Sequence, residues 1–440
     1  MNLGQTICAL ATAPLVSALA IIRISGRDSF NITNKIFSKV ISVEDSAKIF
    51  YGKIKDGDEI IDEVILLAYK GPKSFTGEDV VEIISHGSPL IVGEILDVLV
   101  KHGARLAEKG EFSMRGHLNN KFDLIQAEAI NDMIHSSTKE AKNLSLLSLE
   151  GKTTNLILPY KDMIAALLAD IEVNIDFPEY EDIEEKSHKD IARDLSAILE
   201  GIQDLVAQGN EGKIIKNGIK VALVGKPNVG KSSLLNAILR EDKAIVTEVA
   251  GTTRDVVEGE INVNGITFHF FDTAGLHDTK DKIETIGIEK TKRVILDADY
   301  VIYVKDATCL DKDNCTLDDV PNDKLITVYN KSDIKKTNTA LQVSAVNRDL
   351  NGIFDELFKR LNISKDSFTR PSFNNDRQLS KLKTIYELLS EARDLNKQAL
   401  TLDLISVPLQ SAYREITELL GLEYTQDLSE EIFSRFCVGK

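Results

Sequence analysis

The residues with most chemistry to offer lie near the middle of the chain. Gly225-Lys-Pro-Asn-Val-Gly230-Lys231-Ser232 matches G-x-x-x-x-G-K-S, with the apolar run IKVALV before it and SLLNAILR after it. A glycine-rich turn between a strand and a helix wraps a phosphate chain with backbone N–H groups and the helix N-terminus. Lys231 then reaches the β- and γ-phosphates, and the Ser232 hydroxyl suits a magnesium ion. FFDTAG at 270–275 ends another apolar run. It supplies Asp272, placed to hold the metal through water, and Gly275, whose amide can meet a γ-phosphate. Thr252 and Thr253 fall between these motifs, where a switch loop must provide a second metal-ligating hydroxyl. VYNKSD at 328–333 sets Asn330, Lys331 and Asp333 behind a further apolar run.

The order of these elements resembles the translation-factor-like GTPases. In that superfamily the Asp of N-K-x-D accepts from the ring N–H and exocyclic amine of guanine, which adenine cannot offer. Ser344-Ala345 resembles the last base-contacting element, so the expected nucleotide is GTP rather than ATP. The residues expected to line it are Asn228, Val229, Gly230, Lys231, Ser232, Ser233, Thr247, Glu248, Val249, Ala250, Gly251, Thr252, Thr253, Asp272, Thr273, Ala274, Gly275, Asn330, Lys331, Asp333, Ser344 and Ala345. Ras-like enzymes place a water-orienting Gln directly after D-x-x-G, whereas this chain has Leu276. Glu284, downstream in DTKDKIETIG, is the expected substitute. Arg254, after the switch threonines, joins Lys231 as a cation near the phosphates. A monovalent cation held by Asn228 and switch-loop oxygens could sit where an arginine finger would.

Several elements must position these residues. A chain of 440 residues, 43% hydrophobic and 28% charged, implies two or three globular domains. Residues 1–118 alternate β-branched strands (IIRIS at 21–25, EIIDEVILLAY at 59–69, VVEIISHG at 80–87) with one helical pattern at 88–103, where Gly103 reads as a C-cap. From 119 to 215 the Leu-, Ala- and Glu-rich texture is helical, broken by the acidic stretch DFPEYEDIEE. An α/β domain follows at 216–363, then a linker and a second helical segment at 364–440. One helical domain in two segments, with the α/β domain inserted, is the economical architecture. No run approaches the roughly 20 apolar residues of a membrane span, no secretory signal opens the chain, and the protein reads as cytoplasmic. The four cysteines form no C-x-x-C pair, and a net charge of −16 argues against broad non-specific nucleic-acid binding.

Taken together, the motifs resemble the MnmE (TrmE) tRNA-modification GTPases along nearly the whole chain. The matching residues are S-F-T-G-E-D-V at 74–80, H-G at 86–87, G-E-F at 110–112, L-N-N-K-F-D-L at 118–124 and Q-A-E-A at 126–129. They continue with D-F-P at 176–178, the phosphate loop at 225–236, I-V-T-E-V-A-G-T-T-R-D at 245–255, D-T-A-G-L at 272–276, E-T-I-G-I-E at 284–289 and the terminal F-C-V-G-K at 436–440. The resemblance implies a multidomain α/β fold: an α+β N-terminal domain like tetrahydrofolate-binding domains, a discontinuous helical domain and an inserted Ras-like P-loop GTPase domain. It implies a homodimer formed through the N-terminal domain, and an FAD-containing MnmG (GidA) partner. With that partner the family adds an aminomethyl or carboxymethylaminomethyl group to carbon 5 of the wobble uridine of tRNA, drawing the carbon from a methylene-tetrahydrofolate.

By the same resemblance Asn228, Thr247, Val249 and Thr252 match a potassium site, Ser232 and Thr253 the magnesium ligands, and Glu284 the water-orienting residue. Arg23, Glu82, Lys121 and Lys440 match a folate pocket, and Cys437 the family's terminal cysteine, whose thiol is either active or merely buried. The chain departs from the family at Leu15-Val-Ser-Ala18, where a Gly-rich turn is usual, at Gly116-His117 and at His277. The rival readings are a ribosome-assembly or other nucleotide-switch GTPase, and a scaffold with a dead nucleotide pocket, which conflicts with an intact Lys231, Ser232, Asp272 and Thr253.

Overall fold

In the computed structural model the chain divides into two compact units, Met1–Asn131 with Leu149–Lys161 and Leu409–Lys440, and Asp132–Ser148 with Asp162–Pro408. The structure describes residues 4–42, 48–176, 187–240, 259–272, 294–309, 320–336 and 341–422, together with Phe433, Phe436 and Gly439.

The first unit is built on a six-stranded sheet ordered β3-β4-β5-β2-β1-β6. Its strands are β1 (Ile7–Leu10), β2 (Ser17–Ser25), β3 (Ile49–Asp56), β4 (Glu59–Tyr69), β5 (Val80–Gly87) and β6 (Arg105–Leu106). The strand period of two sends Ile22 and Ile24, Val64 and Leu66, and Val81 and Ile83 into one core, under helices α1 (Ser29–Ile36) and α2 (Pro89–Lys101). Arg23 and Glu82 lie on the other face, directly opposite each other in the antiparallel β2–β5 register. The helix expected at 88–103 is α2, and Gly103 just beyond it takes φ +111, the left-handed stop that glycine tolerates. Strand β2 starts four residues before the expected IIRIS, at Ser17. The segment Leu15–Val16 before it is exposed. Helices α3 (Glu111–Leu118) and α4 (Leu124–His135) follow.

In the second unit, β7 (Ile219–Val224), β8 (Gly259–Val263), β9 (Ile266–Asp272), β10 (Tyr300–Asp306) and β11 (Leu325–Asn330) form a sheet ordered β11-β10-β7-β9-β8. All pairings are parallel except that of the edge strand β8. Both faces of the parallel strands are buried, which explains apolar runs such as IKVALV and YVIYV in place of strict alternation. β7 lies centrally, with β9 on one side and β10 on the other, so the chain switches direction across the sheet there.

Helices α5 (Lys139–Leu149), α6 (Thr154–Asp176) and α7 (His188–Asn217) precede this sheet. α7 begins in a reciprocal Ser187–Asp190 capping box and ends at Gly218 with φ +74. It runs two residues past 215, the expected end of the helical segment. Helices α8 (Lys231–Leu239), α9 (Asn351–Leu361), α10 (Asp376–Lys397) and α11 (Leu402–Leu420) complete the set of long helices among the described residues. The expected linker holds a short 3-10 turn, Lys365–Phe368, before α10. α10 packs along α7, with Leu379 lying against Gly209. Among the described residues no helix is long and apolar enough to cross a membrane.

Candidate active site

Four strand ends converge at one edge of the second sheet. β7 runs out into the phosphate loop, β9 ends at Asp272, β10 at Asp306 and β11 at Asn330. In open parallel sheets the crevice beyond the carboxyl ends, at the strand where the winding reverses, is where ligands bind.

The loop closes on α8 through Gly230, at φ +93. Asn228 is also left-handed, at φ +64, a conformation that costs a non-glycine residue energy and survives only where its surroundings hold it. The surroundings are specific. Asn330 Nδ2 donates to the Val229 carbonyl at 3.0 Å, and Lys331 Nζ donates to the Asn228 carbonyl at 3.2 Å. Lys231 is 6% exposed and donates to the carbonyls of Gly225 at 2.8 Å and Lys226 at 3.1 Å, so its ammonium is poised inside the loop's concavity. Burial pulls its pKa below the usual lysine value, and the neighbouring Asp272 carboxylate partly offsets that.

Ser232 Oγ donates to Asp272 Oδ2 at 2.8 Å. A hydroxyl and a carboxylate at this distance are hard oxygen donors of the kind that a small divalent cation shares with phosphate oxygens. Among the described residues no group of three or more His, Cys, Asp or Glu side chains could hold a metal unaided.

On the base-reading side, Asn330 is 2% exposed, and its Oδ1 accepts the Ala345 amide at 3.3 Å. Ser344 Oγ donates to Asp333 Oδ1 at 2.6 Å and accepts the Asn347 amide at 3.1 Å, which aims the Asp333 carboxylate. The structure thus brings together Asn228, Val229, Lys231, Ser232, Asp272, Asn330, Lys331, Asp333, Ser344 and Ala345. The expected residues 247–254, 273–275 and 284, with Leu276 and His277, lie outside the described residues, as do Cys437 and Lys440.

One residue of this cluster escaped the sequence motifs. Asp306 accepts from Lys331 Nζ at 2.6 Å, and from the Thr308 amide at 2.8 Å and hydroxyl at 2.6 Å. Burial pushes its carboxyl up, but the Lys331 and Thr308 hydrogen bonds and the Lys331 charge outweigh that and hold it below the usual range.

A second cluster lies in the first unit. Arg23 pairs with Glu82, Nη2 to Oε1 at 2.8 Å and Nε to Oε1 at 2.9 Å, while its guanidinium lies 5.3 Å from the Phe75 ring centroid. Arg23 Nη1 also donates to the Gly439 carbonyl at 3.1 Å, which ties Gly439 to this face. Glu82, Tyr69, Phe75 and Lys121 line a cleft of about 370 Å³, and Lys121 Nζ donates to the Pro72 carbonyl at 2.7 Å. Burial, and then the Glu82 charge, raise the Tyr69 hydroxyl pKa against a smaller opposing pull from Arg23.

Beneath the 74–80 loop runs a buried charge network that the sequence motifs do not reveal. Arg115, 2% exposed, donates from Nη1 to Glu78 at 3.1 Å and from Nη2 to Glu111 Oε1 at 2.8 Å and the Gln5 carbonyl at 2.8 Å. Glu111 also accepts from Arg105 Nη2 at 2.5 Å and the Glu108 amide at 2.9 Å. Burial works to raise the Glu111 pKa, and the Arg105, Glu108 and Arg115 contacts more than reverse it.

A phosphate loop on the central strand, a serine–aspartate pair at its mouth and an Asn-Lys-x-Asp turn braced on the loop define a P-loop GTPase. Comparison with known proteins makes this specific. A family model described as the GTP-binding protein TrmE N-terminus matches residues 6–121, and one described as the MnmE helical domain matches 124–437. The tRNA modification GTPase MnmE of Mesoplasma florum is 38% identical over 453 residues, covering 100% of both chains. That of Malacoplasma penetrans is 39% identical over 455 residues, again covering 100% of both, and that of Streptococcus thermophilus 37% over 455, covering 99% of this chain and 98% of the relative. The FeoB G domain of Methanococcus jannaschii is 23% identical over 33% of this chain and 98% of its own, with a TM-score of 0.25. The chain belongs to the tRNA modification GTPase MnmE family.

Proposed function

We propose that this chain is the potassium-dependent, GTP-hydrolysing subunit of a cytoplasmic complex that modifies carbon 5 of the wobble uridine of tRNA. In this reading it adds an aminomethyl or carboxymethylaminomethyl group whose carbon comes from a methylene-tetrahydrofolate, together with an FAD-containing MnmG-type partner. Residues 1–118 form the folate-binding and dimerisation domain, 119–215 and 364–440 the helical domain, and 216–363 the G domain.

The observation that carries the reading is the pairing of an intact phosphate loop in one unit with the Arg23–Glu82 cleft in the other, on a chain of this family. Tetrahydrofolate offers a pterin whose N–H groups suit a carboxylate such as Glu82, and glutamyl carboxylates that suit cations such as Lys121. The Arg23 bond to Gly439 supports a role for the following residue, Lys440, near the same cleft. Ser232 and Thr253 would hold magnesium, with Asp272 acting through water, and the ion would supply charge neutralisation on the phosphates. Asn228, Thr247, Val249 and Thr252 would hold potassium, Arg254 would add cationic charge, and Glu284 would orient water. Support for a homodimer comes from the sheet face away from α1 and α2, where Leu19, Ile49, Tyr51 and Ile65 are exposed.

Two measurements test the reading. GTP hydrolysis by the full chain should be much faster in potassium than in sodium, and equal rates would remove the cation mechanism. The full chain should bind 5-formyltetrahydrofolate, and deletion of Lys440 should weaken that binding. Absence of binding by the intact chain would favour a plain nucleotide switch.

A further inference from the structure

Asp306 closes β10 at the edge where the nucleotide loops gather, yet it belongs to none of the motifs by which such loops are recognised. Both of its oxygens are used. Oδ1 takes the Thr308 amide and hydroxyl, which fixes the carboxylate on its own turn, and Oδ2 takes the Lys331 ammonium at 2.6 Å. Lys331 is itself left-handed, at φ +69, and reaches across to the Asn228 carbonyl, whose own residue is left-handed. A lysine has four rotatable side-chain bonds, and a single contact of 3.2 Å to a carbonyl does not fix them. A 16%-exposed carboxylate on a fixed turn does. The next residue back, Asn330, grips the Val229 carbonyl. Two consecutive residues of the base-reading turn therefore hold two consecutive carbonyls of the phosphate loop, and Asp306 decides where the longer of the two arms lies.

We infer that Asp306 is a positioning residue for nucleotide retention: it pins Lys331 across the phosphate loop, so that base and phosphate grips open together. The expectation is that losing this pin speeds release of guanine nucleotides while leaving the hydrolytic step intact.

Asp306→Asn is the informative variant. Its remaining carbonyl oxygen still accepts both Thr308 bonds, but an N–H group now faces the Lys331 ammonium, donor against donor. In the full-length chain, release of a fluorescent GDP analogue, followed by stopped flow, should accelerate about tenfold, and KM for GTP should rise by about the same factor. Turnover at saturating GTP should stay within about twofold of the parent. Lys331→Ala should reproduce the fast release, and adding Asp306→Asn to it should change release by less than about twofold, because the pin has nothing left to hold. A merely structural aspartate would damage the Lys331→Ala background as much as the parent, and that additivity would overturn the inference. So would release from Asp306→Asn at the parental rate, or a loss confined to turnover.

Discussion

Replacing Gly230 by alanine tests the phosphate loop where its geometry is least forgiving. Gly230 sits at φ +93 and ψ 28, at the N-cap of α8. An L-residue there costs about 1–2 kcal/mol from the clash of its Cβ with the backbone. The new Cβ would also lie 2.4 Å from Asn330 Nδ2, far inside contact distance, so Asn330 must turn away. Turning it breaks the bond to the Val229 carbonyl and the bond accepted from Ala345, inside a site where Asn330 is 2% exposed. Net losses of about 1 kcal/mol for each bond bring the penalty on the nucleotide-ready loop to about 3–4 kcal/mol. At about 1.4 kcal/mol per decade, GTP affinity should fall by two to three orders of magnitude. Titration calorimetry with GTP and magnesium reads this directly. Circular dichroism should remain unchanged, because the core under β7 and α8 does not include Gly230. A loss of affinity below about tenfold would refute the claim that loop and base-reading turn are braced on one another at this point.

The first unit offers three further tests. Arg115→Met removes the partner of Glu78 and one of the two guanidinium groups on Glu111, and leaves that fully buried carboxylate underpaired, at a cost of about 3–5 kcal/mol. Calorimetry should show an unfolding transition lowered by about 10 °C, and a shift below about 2 °C would count against the network. Glu111 has a folded pKa below its unfolded value of 4.5, so its contribution to stability is present above that value and lost as pH falls through the folded one. Glu111→Gln should therefore flatten the dependence of the urea midpoint on pH below about 4.5, and a parallel curve would remove Glu111 as a source of acid sensitivity. Burial pushes the Cys8 thiol up to about 12, against a smaller pull from Arg105. Iodoacetamide at neutral pH should leave the Cys8 peptide unmodified in the native chain while labelling exposed Cys309, as read by mass spectrometry. Rapid native labelling of Cys8 would show that β1 opens.

What could be read from the sequence followed local rules. EIIDEVILLAY and VVEIISHG are β4 and β5 at their expected limits, because alternation and flanking turn residues act within a few positions. The phosphate loop was legible because a strand, two glycines, a lysine and a serine must be contiguous to do their work. The missed parts are products of distance along the chain. Arg23 reaches Gly439 across 416 residues, and Arg115 reaches Gln5 across 110. Glu111 was visible only as one letter of G-E-F. Nothing near it in sequence indicates that it would be fully buried between two arginines. The expected strand limit was short where texture is mixed: β2 begins in the exposed Ser17–Leu19 stretch. The close packing of residues 372–379 on Gly209 and Gly212 of α7, which their missing side chains allow, is likewise a product of distance along the chain.

Asp306 shows what signal was nonetheless available. YVIYVKD ends in an acidic residue, as ITFHFFD does at Asp272, and apart from Lys305 and His269 both runs are β-branched or aromatic up to that point. In a parallel sheet covered on both faces, a charge at the carboxyl end of a strand is the first residue that can leave the core, and it leaves toward the ligand crevice. A rule that treats every such terminal polar residue as a site candidate would have placed Asp272, Asp306 and Asn330 together. It would also have offered Asp306 as a counter-charge for Lys331 from strand order alone. The same physics limits the rule. In the first sheet, antiparallel except for the β1–β6 pair, polar residues face outward along whole strands, so strand ends carry no special information there. Arg23 and Glu82 stand out only through their cross-strand register.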